Sequence, residues 1–186
     1  MNNETGRILI NLARSAIATR LGIDTSAPVA DLHWLRERRA TYVTLLRDNK
    51  LRGRTGTLQA HRALAEDVTA NAVAAACSDP GFKPLTRDEF ADTRIEVCLL
   101  SDIEPIVAER EAAALAQIQA GVDGVVFEYG RHRSIFLPEA WADAADAAEF
   151  MAQLKYKAGL PPDFWDHEVK LARYTVFRWD ETGLPA

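Results

Sequence analysis

An apolar, β-branched run, Tyr42-Val43-Thr44-Leu45-Leu46, meets the polar turn Arg47-Asp48-Asn49-Lys50 and returns as Leu51-Arg52-Gly53-Arg54-Thr55-Gly56-Thr57-Leu58. Strand, turn and returning strand make a β-hairpin, and a hairpin needs something apolar to cover one of its faces. The next segment supplies it. Leu64, Val68, Ala72 and Ala75 recur at helical spacing, and the run stops near Ser78-Asp79-Pro80-Gly81. Small residues on that face let a helix lie close to a sheet. Thr93 to Leu100 then reads as a strand with Ile95, Val97 and Leu99 on one side.

The same order recurs further on. Gly124 to Tyr129 and Arg133 to Leu137 form a second hairpin about Gly130-Arg131-His132. Asp143 is the expected N-cap of a helix burying Ala147, Phe150, Met151 and Leu154, which Gly159-Leu160-Pro161-Pro162 ends. Lys170 to Trp179 reads as the last strand, followed by an exposed tail. Ahead of the first hairpin lie a helix from Gly6 to Leu21, stopped by Gly22, a loop from Asp24 to Val29, and a charged turn from Leu32 to Arg38. Between the two patterns, a helix with Leu115 and Ile118 buried ends at Gly121. The expectation is an α+β fold in one domain, residues 1–186, with two closely packed halves of about 1–105 and 106–186. Two explanations of the repeat stand side by side: a duplication, or a common α+β unit used twice.

Composition narrows the function. The chain has 186 residues, 48% of them hydrophobic and 26% charged, with a net charge of -5 and dispersed Lys and Arg. A general nucleic-acid surface does not fit that balance. No apolar run approaches membrane-spanning length, and the polar start Met-Asn-Asn-Glu-Thr lacks a signal-peptide layout. Cys77 and Cys98 have no second pair beside them, so reduced, buried thiols in a cytoplasm are expected.

The chemistry concentrates in the returning strand and the loop after it. Arg52, Gly53, Arg54, Thr55, Gly56, Thr57, His61 and Arg62 fall close together. Alternate strand residues share a face, so Arg52 and Arg54 are expected to point the same way. Guanidiniums beside glycines and hydroxyls suit a carboxylate or phosphate, which arginine binds bidentately. The helix beginning near Ala63 would add unpaired amides. The competing explanation is a salt-bridge network with Glu66, Asp67 or Asp79, the glycines serving a bulge. His61 is the only histidine beside the motif and the one candidate acid or base, though it equally suits a capping role. His33, His132 and His167 are expected at solvated edges. No residues have metal-ligand spacing, and no phosphate-binding glycine loop or nucleophile elbow is present, so no metal or cofactor is expected. The four tryptophans read as packing, Trp165 in its Pro161-Pro162-Asp163-Phe164 loop included, ahead of a partner surface.

The chain resembles the AMMECR-domain family, in its bacterial AmmeMemoRadiSam system protein A branch. The resemblance rests on Tyr42-Val43-Thr44-Leu45, Leu-Arg-Gly-x-x-Gly-Thr from Leu51, and Ala60-His61-Arg62-x-Leu64. Asp79-Pro80-x-Phe82-x-Pro84, Gly121-x-Asp123-Gly124, Phe136-Leu137-Pro138-Glu139 and Lys157-Ala158-Gly159-Leu160 extend it over nearly the whole length. It implies an α+β fold with a barrel-like, largely antiparallel sheet and internal duplication. It also implies a modification pathway shared with Memo-like and radical-SAM proteins. The family motif has Cys where this chain has Arg54, and Arg where it has Gly81. Arginine stays protonated and cannot replace a thiolate nucleophile. Two functions follow: an enzyme or ligand-binding component acting on a small anionic molecule at the Arg52-Arg54-His61 loop, or a non-catalytic adaptor presenting that loop to a partner protein.

Overall fold

The structure is a computed structural model, which describes residues 2–25 and 32–182. It contains two compact units, one running as far as Leu100 and resuming at Phe177, the other Ser101–Val176.

The first unit is built on a four-stranded sheet in the order β2-β1-β3-β8. Helix α1 (Asn3–Arg20) starts at an Asn2 cap whose side chain accepts the Thr5 amide, and it buries Leu9, Leu12, Ala13 and Ile17. Strands β1 (Thr41–Arg47) and β2 (Lys50–Gly56) form the expected hairpin. Asp48 and Asn49 both adopt positive φ, 50° and 58°, the conformation of a two-residue turn matched to strand twist. Helix α2 (Leu64–Cys77) follows as read from its apolar spacing. A five-residue helix, α3 (Arg87–Ala91), occupies the charged segment between Cys77 and Cys98. Its Thr86–Glu89 capping box is a local signal that was there to be used. Strand β3 (Arg94–Leu100) pairs antiparallel with β1. Leu9, Ile17, Val43, Leu45, Val68, Ala72, Ile95 and Val97 close one core between helices and sheet. Full burial of each large aliphatic side chain contributes about 1.5 to 3 kcal/mol.

The second unit carries a sheet in the order β4-β7-β5-β6. Its hairpin joins β5 (Gly124–Tyr129) to β6 (His132–Phe136) through Gly130, at φ 54°. Helix α4 (Glu111–Leu115) ends before Ile118. Helix α5 (Ala147–Lys157) is capped by Asp146, not Asp143. Residues Pro138–Asp143 form a 3-10 turn that puts Trp141 flat on Phe150, at 3.8 Å between ring centres. Phe164 packs on Tyr129 at 4.8 Å, and Phe164 and Trp165 join the core cluster, so this loop is packing.

Two strand assignments change. The run Lys170 to Trp179 is not one strand but two, β7 (Lys170–Tyr174) and β8 (Val176–Asp180), which belong to different sheets. Likewise β4 (Glu104–Ile106), three residues after β3, joins the second sheet through β7. The strands therefore form two four-stranded antiparallel sheets and no closed barrel among the described residues. In each sheet the first hairpin strand pairs with the strand after the helix: β1 with β3, and β5 with β7. The loop expected over Asp24 to Val29 and the tail after Trp179 lie in part outside the described residues.

Candidate functional site

The two glycines of the β2 motif are there for close approach. A Cβ on Gly53 would overlap the Ala75 carbonyl oxygen of α2, and one on Gly56 would overlap the Tyr42 ring. Helix and strand can touch, and an aromatic ring can lie across the sheet, only because these side chains are absent.

Between Leu45 and Leu46 the β1–β2 register slips. Leu45 is opposite Gly53, whereas Leu46 is opposite Leu51, so Arg52 is the extra residue of a bulge. That slip separates the two arginines expected on one face. Arg52 turns to the helix side. Its Nη2 and Nε donate to Glu89 at 2.9 and 3.2 Å, and its Nη1 donates to the Lys83 carbonyl at 3.0 Å. Arg47 reaches the same carboxylate at 3.1 Å. The Arg52 hydrogen bonds, then the Thr86 amide, hold the Glu89 carboxyl well below the usual range, at about 2. Arg54 is opposite Thr44 and keeps to the other face, its guanidinium 5.3 Å from the centre of the Tyr42 ring.

The remaining motif residues divide the same way. Thr57 and Arg62 are anchored on Asp67, which is fully buried at 0% exposure. Arg62 Nη2 and the Thr57 hydroxyl each donate to the Asp67 carboxylate at 2.9 Å. The Thr41 amide and hydroxyl and the Asn71 amide also donate to it, at 2.9, 2.7 and 3.0 Å. Thr55 is opposite Val43, on the core-facing side. His61 is exposed, with Nδ1 2.8 Å from the Gln59 carbonyl. Among the described residues no hydrogen bond or ion pair links His61 to Arg54. The start of α2 does not offer free amides in the way expected either. Leu64 donates to the Glu37 carbonyl, and Glu66 and Asp67 occupy the first turn with negative charge. A salt-bridge network, expected as the alternative for Arg52 and Arg54, takes in Arg52, with Glu89 in place of Glu66, Asp67 or Asp79; Arg62 is paired as well, with Asp67.

Arg54 is different. Its backbone amide, turned outward from the hairpin, donates to Asp79 at 2.7 Å, yet its guanidinium has no carboxylate among the described residues. The Nε atom is buried without any hydrogen-bond partner. A buried unsatisfied donor costs about 1 to 3 kcal/mol. Around Arg54 the same face carries Tyr42 and Thr44 from β1, Arg94, Glu96 and Cys98 from β3, and Arg178 from β8. Burial pushes the Tyr42 hydroxyl above its ordinary value, partly offset by Arg54. Burial likewise raises the Cys98 thiol, which keeps it protonated and inert as a nucleophile. Cys77 and Cys98 are both free thiols. Arg94, Glu96 and Cys98 were legible as candidates. They are the polar half of the alternation whose apolar half, Ile95, Val97 and Leu99, marked β3.

Fold and site together define an α+β protein of two four-stranded antiparallel sheets, one of which bears an arginine-rich polar face opposite its helices. The chain belongs to the AMMECR1 family, whose model matches residues 10–179. A protein of Methanothermobacter thermautotrophicus is 34% identical over 187 residues, covering 98% of this chain and 97% of the relative. One of Thermococcus onnurineus is 35% identical over 190 residues, covering 97% and 92%. The crystal structure of an uncharacterised protein from Pyrococcus horikoshii is similar at a TM-score of 0.82 and 31% identity, covering 97% of this chain and 93% of that one. These names state no activity. No helix among the described residues is long and apolar enough to cross a membrane.

Proposed function

We propose that this AMMECR1-family protein binds a small anionic ligand, a carboxylate or phosphate, at Arg54 on the polar face of the first sheet. The observation that carries the reading is the unequal treatment of the three motif arginines. Arg52 and Arg62 are satisfied by Glu89 and Asp67, whereas the Arg54 Nε is buried and unpartnered. A guanidinium in that condition gains a charge-assisted hydrogen bond when an anion arrives. The finer identity belongs to the same proposal: an AmmeMemoRadiSam system protein A, a single cytoplasmic domain of duplicated halves, acting beside Memo-like and radical-SAM proteins in a modification pathway. Arg54 stands where the family resemblance implies cysteine, so this chain recognises rather than attacks. Gly53, Thr55 and Gly56 shape the strand that presents Arg54, and Arg52, Thr57, His61 and Arg62 brace the segment around it.

Calorimetric titration with inorganic phosphate and with acetate tests this. Arg54→Ala should weaken binding by about 1.5 to 3 kcal/mol, the range for a hydrogen bond to a charged group, while Arg52→Ala should leave affinity in place. Equal affinity in wild type and Arg54→Ala would refute the site and leave the adaptor reading.

A further inference from the structure

Tyr42 touches Arg54, yet its hydroxyl has no use in the fold. It stands on β1 two positions from Thr44, the residue opposite Arg54, so the two side chains share the polar face. Its neighbour on β2 is Gly56. A Cβ there would overlap the Tyr42 ring, so the ring lies across the glycine and leans towards β2. The Arg54 guanidinium meets it 5.3 Å from the ring centre. Phenol and guanidinium therefore converge on one spot of the sheet.

A half-buried tyrosine usually gives its hydroxyl to a protein partner. Tyr174 does so, donating to the Phe136 carbonyl at 3.0 Å. The Tyr42 hydroxyl has no hydrogen-bond partner among the described residues. Nor is it one of their buried unpartnered atoms, which are the Nε of Arg54 and of Arg94, so it is open to a ligand. Burial raises its ionisation above the ordinary value while Arg54 pulls the other way, which leaves a neutral donor lying in the field of the guanidinium. Phenylalanine would fill the same space over Gly56 and offer Arg54 the same ring face.

The groups around the pair leave this spot to them. Cys98, the neighbour of Tyr42 on β3, is a protonated thiol. Glu96 is in the row of Arg54 but beyond Thr44, and it lies 3.7 Å from Arg178. Arg178 and Asp180 belong to β8, on the far side of β3. Asp79 accepts the Arg54 and Gly81 amides at 2.7 and 2.8 Å. Arg94 reaches Asn49 in the turn, at the other end of β1 from Tyr42.

We infer that Tyr42 is a specificity-determining residue of the Arg54 site, its hydroxyl donating a second hydrogen bond to the same anionic group that Arg54 binds. The inference rests on the anion-binding reading of Arg54 and adds a neutral donor to it. The ligand group is an oxyanion, whose several acceptor lone pairs can serve guanidinium and phenol together.

The test is calorimetric titration of the full chain with inorganic phosphate and with acetate, on wild type and Tyr42→Phe. The substitution removes the hydroxyl and keeps the ring. Whichever probe binds wild type should bind Tyr42→Phe about tenfold more weakly, as loss of a hydrogen bond to a charged group implies, with the melting temperature unchanged. Phosphate or acetate as the stronger probe names the oxyanion. A second measurement needs no Tyr42 variant. An anion beside a phenol disfavours phenolate, so a saturating probe should move part of the phenol absorbance titration to higher pH in wild type and not in Arg54→Ala. A loss under threefold in Tyr42→Phe, or a phenol titration that the probe leaves in place, overturns the inference and leaves the Arg54 site standing. The Arg54 site fails separately, when Arg54→Ala binds the probes as wild type does.

Discussion

The two sides of strand β2 treat arginine in opposite ways. On the helix side, Arg52 shares Glu89 with Arg47 and reaches two carbonyls, so its donors are spent on α3 and the segment before it. On the far side, two residues along, Arg54 rests on Tyr42 with its Nε unanswered. Both are strand arginines in one motif, and both are partly buried. The difference is that a carboxylate was provided for one and withheld from the other. Charges that are matched hold parts together, and their removal shows as lost stability. A charge left unmatched at a cost to the fold is available for a ligand, and its removal shows as lost binding. Arg62 belongs with Arg52, since Asp67 is its partner at 2.9 Å.

The strongest way to break that division is through Asp67. Asp67→Ala would leave the Thr41 amide and hydroxyl, the Asn71 amide, the Thr57 hydroxyl and the Arg62 guanidinium without their common acceptor. Removing one partner of a buried, hydrogen-bonded ion pair costs about 3 to 5 kcal/mol. Urea denaturation should show a midpoint lowered accordingly. A loss under about 1 kcal/mol would mean that the cluster is not structural.

Glu89 sharpens the comparison through pH. Its folded-state value of about 2 is below the ordinary 4.5. The unfolded chain therefore binds the proton first as pH falls, and stability from this group is full above about pH 4.5 and lost as pH drops towards 2. Glu89→Gln should cost about 1 to 2 kcal/mol near neutrality, between an exposed salt bridge and a fully charged hydrogen bond. It should also flatten this part of the acid profile. An acid limb with the same slope in wild type and Glu89→Gln would remove Glu89 from the account.

The smallest expected effect is the most telling. Arg54→Ala should change unfolding free energy by no more than about 1 kcal/mol, because a half-exposed cation–π contact contributes about 0.5 to 1 and relief of the orphan donor offsets it. A thermal melt displaced as far as that of Asp67→Ala would place Arg54 with the structural arginines.

Local signals carried much of this fold. The hairpins were legible because Asp48-Asn49 and Gly130 take up positive φ at the turns and the flanking strands alternate. Helix α2 was legible because Leu64, Val68, Ala72 and Ala75 repeat on one side, and Gly53 marked a close approach of another backbone, that of Ala75. Other features had no local cause. Nothing in Lys170 to Trp179 says that the chain changes sheets at Thr175, since strand propensity is the same on both sides and pairing depends on distant partners. The one-residue slip at Arg52 moved that side chain to the opposite face of β2, and a period-2 pattern read without the slip sends it the wrong way. Glu89 is 37 positions from Arg52, and only folding brings the pair to 2.9 Å. The sequence alone determined the two hairpins with their turns and the apolar faces of α1, α2 and α5, because those preferences act over a few neighbours. The tertiary structure alone decided which arginines found a carboxylate, because an ion pair is chosen by proximity in space.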